Sequence, residues 1–120
     1  MTKRFVQSIW LILFACLAMV AVSIPTSYAA DTARVITIDG EIDSSQVALV
    51  QRGLADAAAN QDKAVVVSIN TLGGEVDSAL KIRDMLEQSS IPTIAYIPSR
   101  AWSAGALIAL SCLHIIMAPG

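Results

Sequence analysis

Past its first thirty residues the chain alternates short β-branched runs with longer stretches that carry one apolar face. Arg34-Val35-Ile36-Thr37-Ile38 reads as a strand closed by the turn Asp39-Gly40. Glu41-Ile42-Asp43 leads to Ser44-Ser45, which reads as a helix cap. Over residues 46–60, Val47, Val50, Leu54 and Ala58 recur at helical spacing, with Arg52 and Asp56 opposite. Leu49 falls off that stripe, and Gly53 interrupts it. Ala64-Val65-Val66-Val67-Ser68-Ile69-Asn70 is apolar without alternation, which predicts a strand covered on both faces. After the break Thr71-Leu72-Gly73-Gly74, a second amphipathic helix is predicted over 76–88, with Val76, Leu80, Ile82, Met85 and Leu86 apolar. Residues 89–92 stop it. A strand over 92–97 then enters the small-residue turn Arg100-Ala101-Trp102-Ser103-Ala104-Gly105. The apolar run Ala106-Leu107-Ile108-Ala109-Leu110 follows, and His114-Ile115-Ile116-Met117 is the last β-type run. Strands and helices in strict alternation predict an α/β fold, a mainly parallel sheet with crossover helices.

The first thirty residues have a different character. Lys3 and Arg4 precede an apolar stretch from Ile9 to Val22, which gives way to Ser23-Ile24-Pro25-Thr26-Ser27-Tyr28-Ala29-Ala30. A basic start, a short apolar core and a small-x-small site describe a signal peptide, with cleavage expected after Ala29. An uncleaved membrane anchor is the alternative, since the apolar stretch is at the short end for a bilayer span. Either way residues 1–29 are a signal or anchor helix, and the chain is expected to be exported to a periplasmic or extracytoplasmic location. A lipoprotein site at Leu13-Phe14-Ala15-Cys16 fits less well, because Phe14 is bulky where small residues are needed.

Of the 120 residues, 55% are apolar, and much of that excess belongs to this leading segment. From Asp31 onward six basic residues face ten acidic ones, a net charge of −4. No basic stripe exists, so nucleic-acid binding has no electrostatic support. Cys112 alone would survive removal of the leader, and a lone cysteine in an apolar helix reads as a small core residue. Nothing in the sequence implies a metal or an organic cofactor.

Two loops stand out because ligand sites in open α/β sheets lie beyond the carboxyl ends of strands. One is Asn70-Thr71-Leu72-Gly73-Gly74; the other runs from Ser99 to Gly105. Ser103 sits where a strand gives way to a helix, a position that resembles the nucleophile elbow. The window reads Ala-x-Ser-x-Gly rather than Gly-x-Ser-x-Gly, and an ordinary serine N-cap is the plainer reading. Paired glycines can turn an N–H outward toward a developing oxyanion. For them, too, a plain strand-to-helix turn is the simpler account. Both loops at equivalent strand ends favour the functional reading.

Asn70-Thr71-Leu72-Gly73-Gly74-Glu75-Val76-Asp77-Ser78-Ala79, then Ala101 to Leu110, then His114 to Gly120, in this order, resemble the membrane-bound, ClpP-class serine proteases of the NfeD type. The resemblance runs from about Arg34 to the last residue. It implies a ClpP/crotonase-like fold, with residues 31–120 forming the amino-terminal part of a serine protease domain. It also implies a Ser–Lys dyad that cuts hydrophobic segments of membrane-associated proteins, stomatin-like partners among them, within a homo-oligomer. By position Ser103 resembles the nucleophile, and Gly74 and Ala104 resemble the oxyanion-hole donors. The chain departs from the family at Leu72, where proline is usual, and at Leu113, where an acidic residue is common.

The general base has no assignment. A serine hydroxyl needs a neighbour to take its proton, and the family lysine lies tens of residues beyond the serine. Lys63 precedes a strand at the end away from Ser103, Lys81 reads as solvated, and His114 opens a strand. The chain ends just after a strand, at Pro119-Gly120, as an amino-terminal portion of a domain would. Two other readings stay open. One is an inactive, shortened relative that binds membrane-protein partners. The other is a crotonase-type acyl-CoA enzyme, disfavoured by the signal sequence and by a serine that such chemistry does not need.

Overall fold

The computed structural model describes residues 31–119. The leader expected over residues 1–29 lies outside that range.

Four strands and three helices alternate along the chain. They are β1 (Ala33–Asp39), α1 (Ser44–Ala59), β2 (Ala64–Asn70), α2 (Val76–Glu87), β3 (Thr93–Ile97), α3 (Ala104–Leu110) and β4 (His114–Met117). The strands pair in parallel in the order β1-β2-β3-β4. The register sets Ile36 beside Val67 and Val67 beside Ala95, so the buried positions of neighbouring strands share one face.

That order decides which face is covered. Parallel strands added always in the same direction, through right-handed crossovers, put every helix on one side. Ile36, Ile38, Val65, Val67, Ile69, Ala95 and Ile97 accordingly form one core with Val50 and Ala57 of α1, Ala79, Ile82 and Leu86 of α2, and Ile108 and Ala109 of α3. The two-sided burial expected of β2 is therefore corrected. Val65, Val67 and Ile69 are fully buried, while Ala64, Val66, Ser68 and Asn70 are only partly covered. On the other face the same register lines up Val35, Val66 and Ile94, and Thr37, Ser68 and Tyr96. Val35 is 62% exposed there. A continuous apolar run cannot tell a sheet between two helix layers from one covered on a single side.

The helices differ in detail from the periodic pattern. Asp43, not Ser44 or Ser45, caps α1: its carboxylate accepts from the amides of Ser45 at 2.8 Å and Gln46 at 3.2 Å, and from the Ser45 hydroxyl. These hydrogen bonds, the Ser45 hydroxyl first, hold its carboxyl below the usual range. Ala57 is buried and Ala58 is not, and Leu49 packs against the core although it fell off the stripe. Helix α1 continues through Gly53, where the Ile36 side chain fills the space a β carbon would need. In α2, Val76 is 68% exposed, and the small residues Ser78 and Ala79 make the contact instead.

Candidate active site

Beyond the end of β3, Ala101 makes an isolated parallel bridge with Thr71, and the chain then turns through Ser103 into α3. Ser103 has φ +52° and ψ −117°. Such a backbone costs a non-glycine residue on the order of 1–3 kcal/mol and persists only where surrounding contacts impose it. Here Gly105 N–H donates to Trp102 O at 2.9 Å and Ala106 N–H to Ser103 O at 3.0 Å. Ser103 occupies the cap position of α3, but its side chain makes no capping hydrogen bond. The ordinary serine cap is thus not what the turn forms. Ser103 stays exposed, and its hydroxyl accepts nothing from the helix.

The glycine loop is held from both sides. Ile42 N–H donates to Gly73 O at 3.0 Å and Glu75 N–H donates to Ile42 O at 2.7 Å. In a parallel bridge those two bonds consume the groups flanking Gly74, which leaves its own N–H directed away from Ile42. A β carbon at Gly74 would collide with the Ile42 backbone, and Gly73, at φ +126°, has a conformation only glycine takes readily. The Gly73 amide donates to Thr71 Oγ1 at 3.0 Å. Among the described residues, the amides of Gly74 and Ala104 donate no hydrogen bond. For Ala104 this is the open first turn of a helix.

The two loops meet at Gly73. A β carbon built there would stand 3.0 Å from Ser103 Cβ and 3.3 Å from Ser103 Oγ. Beside them opens a cleft of about 490 Å³, lined by Leu72, Gly73 and Gly74 together with Asp39, Glu41 and Arg100. Ser103 is not among its lining residues and meets it through Gly73. An exposed serine on a strained backbone, packed against the glycine loop and followed by an amide without a partner, is an arrangement that acyl transfer can use.

A family model described as NfeD1b, N-terminal domain, matches residues 32–120. The chain belongs to that family. The membrane protein NfeD1b of Bacillus subtilis is 36% identical over 104 residues, covering 87% of this chain and 24% of that protein. A solved structure of the 1510-N membrane protease specific for a stomatin homolog, from Pyrococcus horikoshii, superposes with a TM-score of 0.69 at 33% identity, covering 75% of this chain and 47% of that one. ClpP1 from Listeria monocytogenes superposes at 0.63 with 25% identity, covering 66% of this chain and 46% of that one. The NfeD1b-type chain therefore has the ClpP-like fold, and it spans between a fifth and a quarter of the length of the curated relatives it matches.

Of the residues singled out in the sequence, Ser103 and the Gly73–Gly74 loop are brought together, with Ala104 next to Ser103. The basic candidates are not. Lys63 directly precedes β2, Lys81 is exposed on α2, and His114 pairs in register with Ile94 at the opening end of β3, whereas Ser103 lies past its closing end. Cys112 is buried, and burial pushes its thiol pKa up, as befits a core residue. No helix among the described residues is long and apolar enough to cross a membrane. Reading the sequence missed Thr71, which is 2% exposed and bonded to both loops. Its signal was a β-branched hydroxyl two residues ahead of a glycine, where serine and threonine fold back on the main chain.

Proposed function

We propose that this chain is the amino-terminal part of a membrane-bound serine endopeptidase. Ser103 is its nucleophile, and the amides of Gly74 and Ala104 are its oxyanion hole. The strained turn of Ser103, with its hydroxyl against Gly73, supports this best. Ser103 Oγ attacks the scissile carbonyl carbon, and the carbonyl oxygen takes the electron pair as the tetrahedral intermediate forms. Each donor aimed at that oxygen is worth about 3 kcal/mol of barrier. The base that takes the Oγ proton passes it to the leaving amine when the intermediate collapses. In the family resemblance that base is a lysine beyond Gly120. The relative's specificity for a stomatin homolog supports a substrate of the same type, a hydrophobic segment of a membrane-associated protein.

A second reading has one observation in its favour: none of Lys63, Lys81 and His114 stands at the rim that holds Ser103. In it the chain is an inactive relative that binds membrane proteins. A serine-directed fluorophosphonate separates the two. The protein carried past Gly120 is expected to be labelled at Ser103 and the 120-residue chain is not. Absence of label from the longer protein, or label that survives Ser103→Ala, contradicts the peptidase reading.

A further inference from the structure

We propose that Thr71 is a positioning residue that fixes both halves of the site at once, its hydroxyl holding the glycine loop and its methyl group holding the serine turn. The inference rests on the reading of Ser103 as nucleophile. Thr71 Oγ1 accepts from Gly73 N–H at 3.0 Å and donates to Gly73 O at 3.1 Å, so its one proton and a lone pair are both committed to one residue. Its backbone reaches the other loop: Thr71 N–H donates to Arg100 O at 3.1 Å, and Trp102 N–H donates to Thr71 O at 3.1 Å. Its Cγ2 lies against Gly105, in the space that a β carbon there would need. No other described side chain bonds to Gly73.

The hydroxyl has a selective effect. Gly73 and Gly74 both present amides, and only that of Gly73 is taken up, by Thr71 Oγ1. Thr71 thus decides which amide of the pair stays free for an oxyanion. Without the hydroxyl, the peptide unit before Gly73 is free to turn, and the donor at Gly74 loses the fixed direction that makes such groups effective. The methyl group acts separately, by limiting how closely α3 approaches β2 and hence where Ala104 N–H sits.

Two substitutions divide these roles. Thr71→Val keeps the shape and loses the hydroxyl; Thr71→Ser keeps the hydroxyl and loses the methyl group. In the protein carried past Gly120, Thr71→Val is expected to lower the maximal rate of fluorophosphonate labelling by about 10- to 100-fold while the half-saturating probe concentration stays within about twofold. Thr71→Ser is expected to lower that rate less, by about three- to tenfold, because the Ala104 amide shifts when the methyl group against Gly105 is lost. Exchange of the Gly73 amide with solvent should quicken at least tenfold in Thr71→Val and hold in Thr71→Ser. Wild-type labelling by either variant, or an equal loss in both, overturns the assignment. Ser103→Ala, run alongside, keeps the two claims apart. If it still labels, the nucleophile reading has failed, and Thr71 is then judged on Gly73 exchange alone, where equal rates in wild type and Thr71→Val would overturn it.

Discussion

Where the strands begin, polar groups close on one another. Asp62, 8% exposed, accepts from Thr32 Oγ1 at 2.6 Å and from Arg34 Nε at 3.1 Å, and Lys63 N–H donates to Thr32 O. Thr93 Oγ1 accepts from the Leu113 amide at 3.1 Å. Where the strands end, the amides of Gly74 and Ala104 make no hydrogen bond among the described residues, and Ser103 is held at φ +52°. The same sheet thus has one rim that satisfies its polar groups, although Gln61 there also has a positive φ of +57°, and one that leaves two amides without partners beside Ser103. Positions that a fold would otherwise relax are kept where surrounding structure over-determines them, and such positions gather at functional sites.

Ser103→Ala cuts deepest into this contrast. Peptidase activity of the protein carried past Gly120 should fall by at least about 10³-fold, measured on a hydrophobic peptide, with the unfolding temperature nearly unchanged, since alanine keeps the β carbon that makes this backbone costly. Gly74→Ala comes next. Its β carbon meets the Ile42 backbone, so the loop must move, and the loss of one aligned donor should cost about 10²–10³-fold in kcat. Gly105→Ala presses on the Thr71 methyl group. Overpacking of this kind costs about 1–3 kcal/mol, read as a lower unfolding temperature together with slower labelling.

The smallest effect belongs to the quiet rim. The Thr32 hydroxyl first, and then Arg34, hold the Asp62 carboxyl below the usual range. A carboxylate whose pKa is lowered by folding adds stability above its unfolded pKa and loses it as pH falls through the lowered value. Asp62→Asn should therefore lower the unfolding temperature by a few degrees near neutral pH, with the difference from wild type shrinking below about pH 4. Labelling of Ser103 should be untouched. If labelling fell as much as in Gly74→Ala, the rims would not be independent.

Much of this architecture was legible in the residues, and the misses have physical causes. β-branched runs and helical spacing located every strand and helix of the described chain. Strand order was not legible: Val65-Val66-Val67 reads the same in a sheet covered once or twice, and only the sequential order β1-β2-β3-β4 decides between them. The cap of α1 went to Asp43 rather than to the serines beside it because its carboxylate reaches both free amides and the Ser45 hydroxyl. At the site, Ser103 and Gly73–Gly74 were found by residue type and by their places at strand ends. Thr71 was hidden for the opposite reason: only its contact with Gly73 is local, and those with Arg100, Trp102 and Gly105 join residues far apart in the chain.

The most direct test is a structure of the protein carried past Gly120 after reaction with a peptidyl phosphonate. The expected result is phosphorus bonded to Ser103 Oγ, with one phosphoryl oxygen within hydrogen-bonding distance of both Gly74 N and Ala104 N. Phosphorus on another residue, or an adduct at Ser103 whose oxygen turns away from those two amides, would contradict the account.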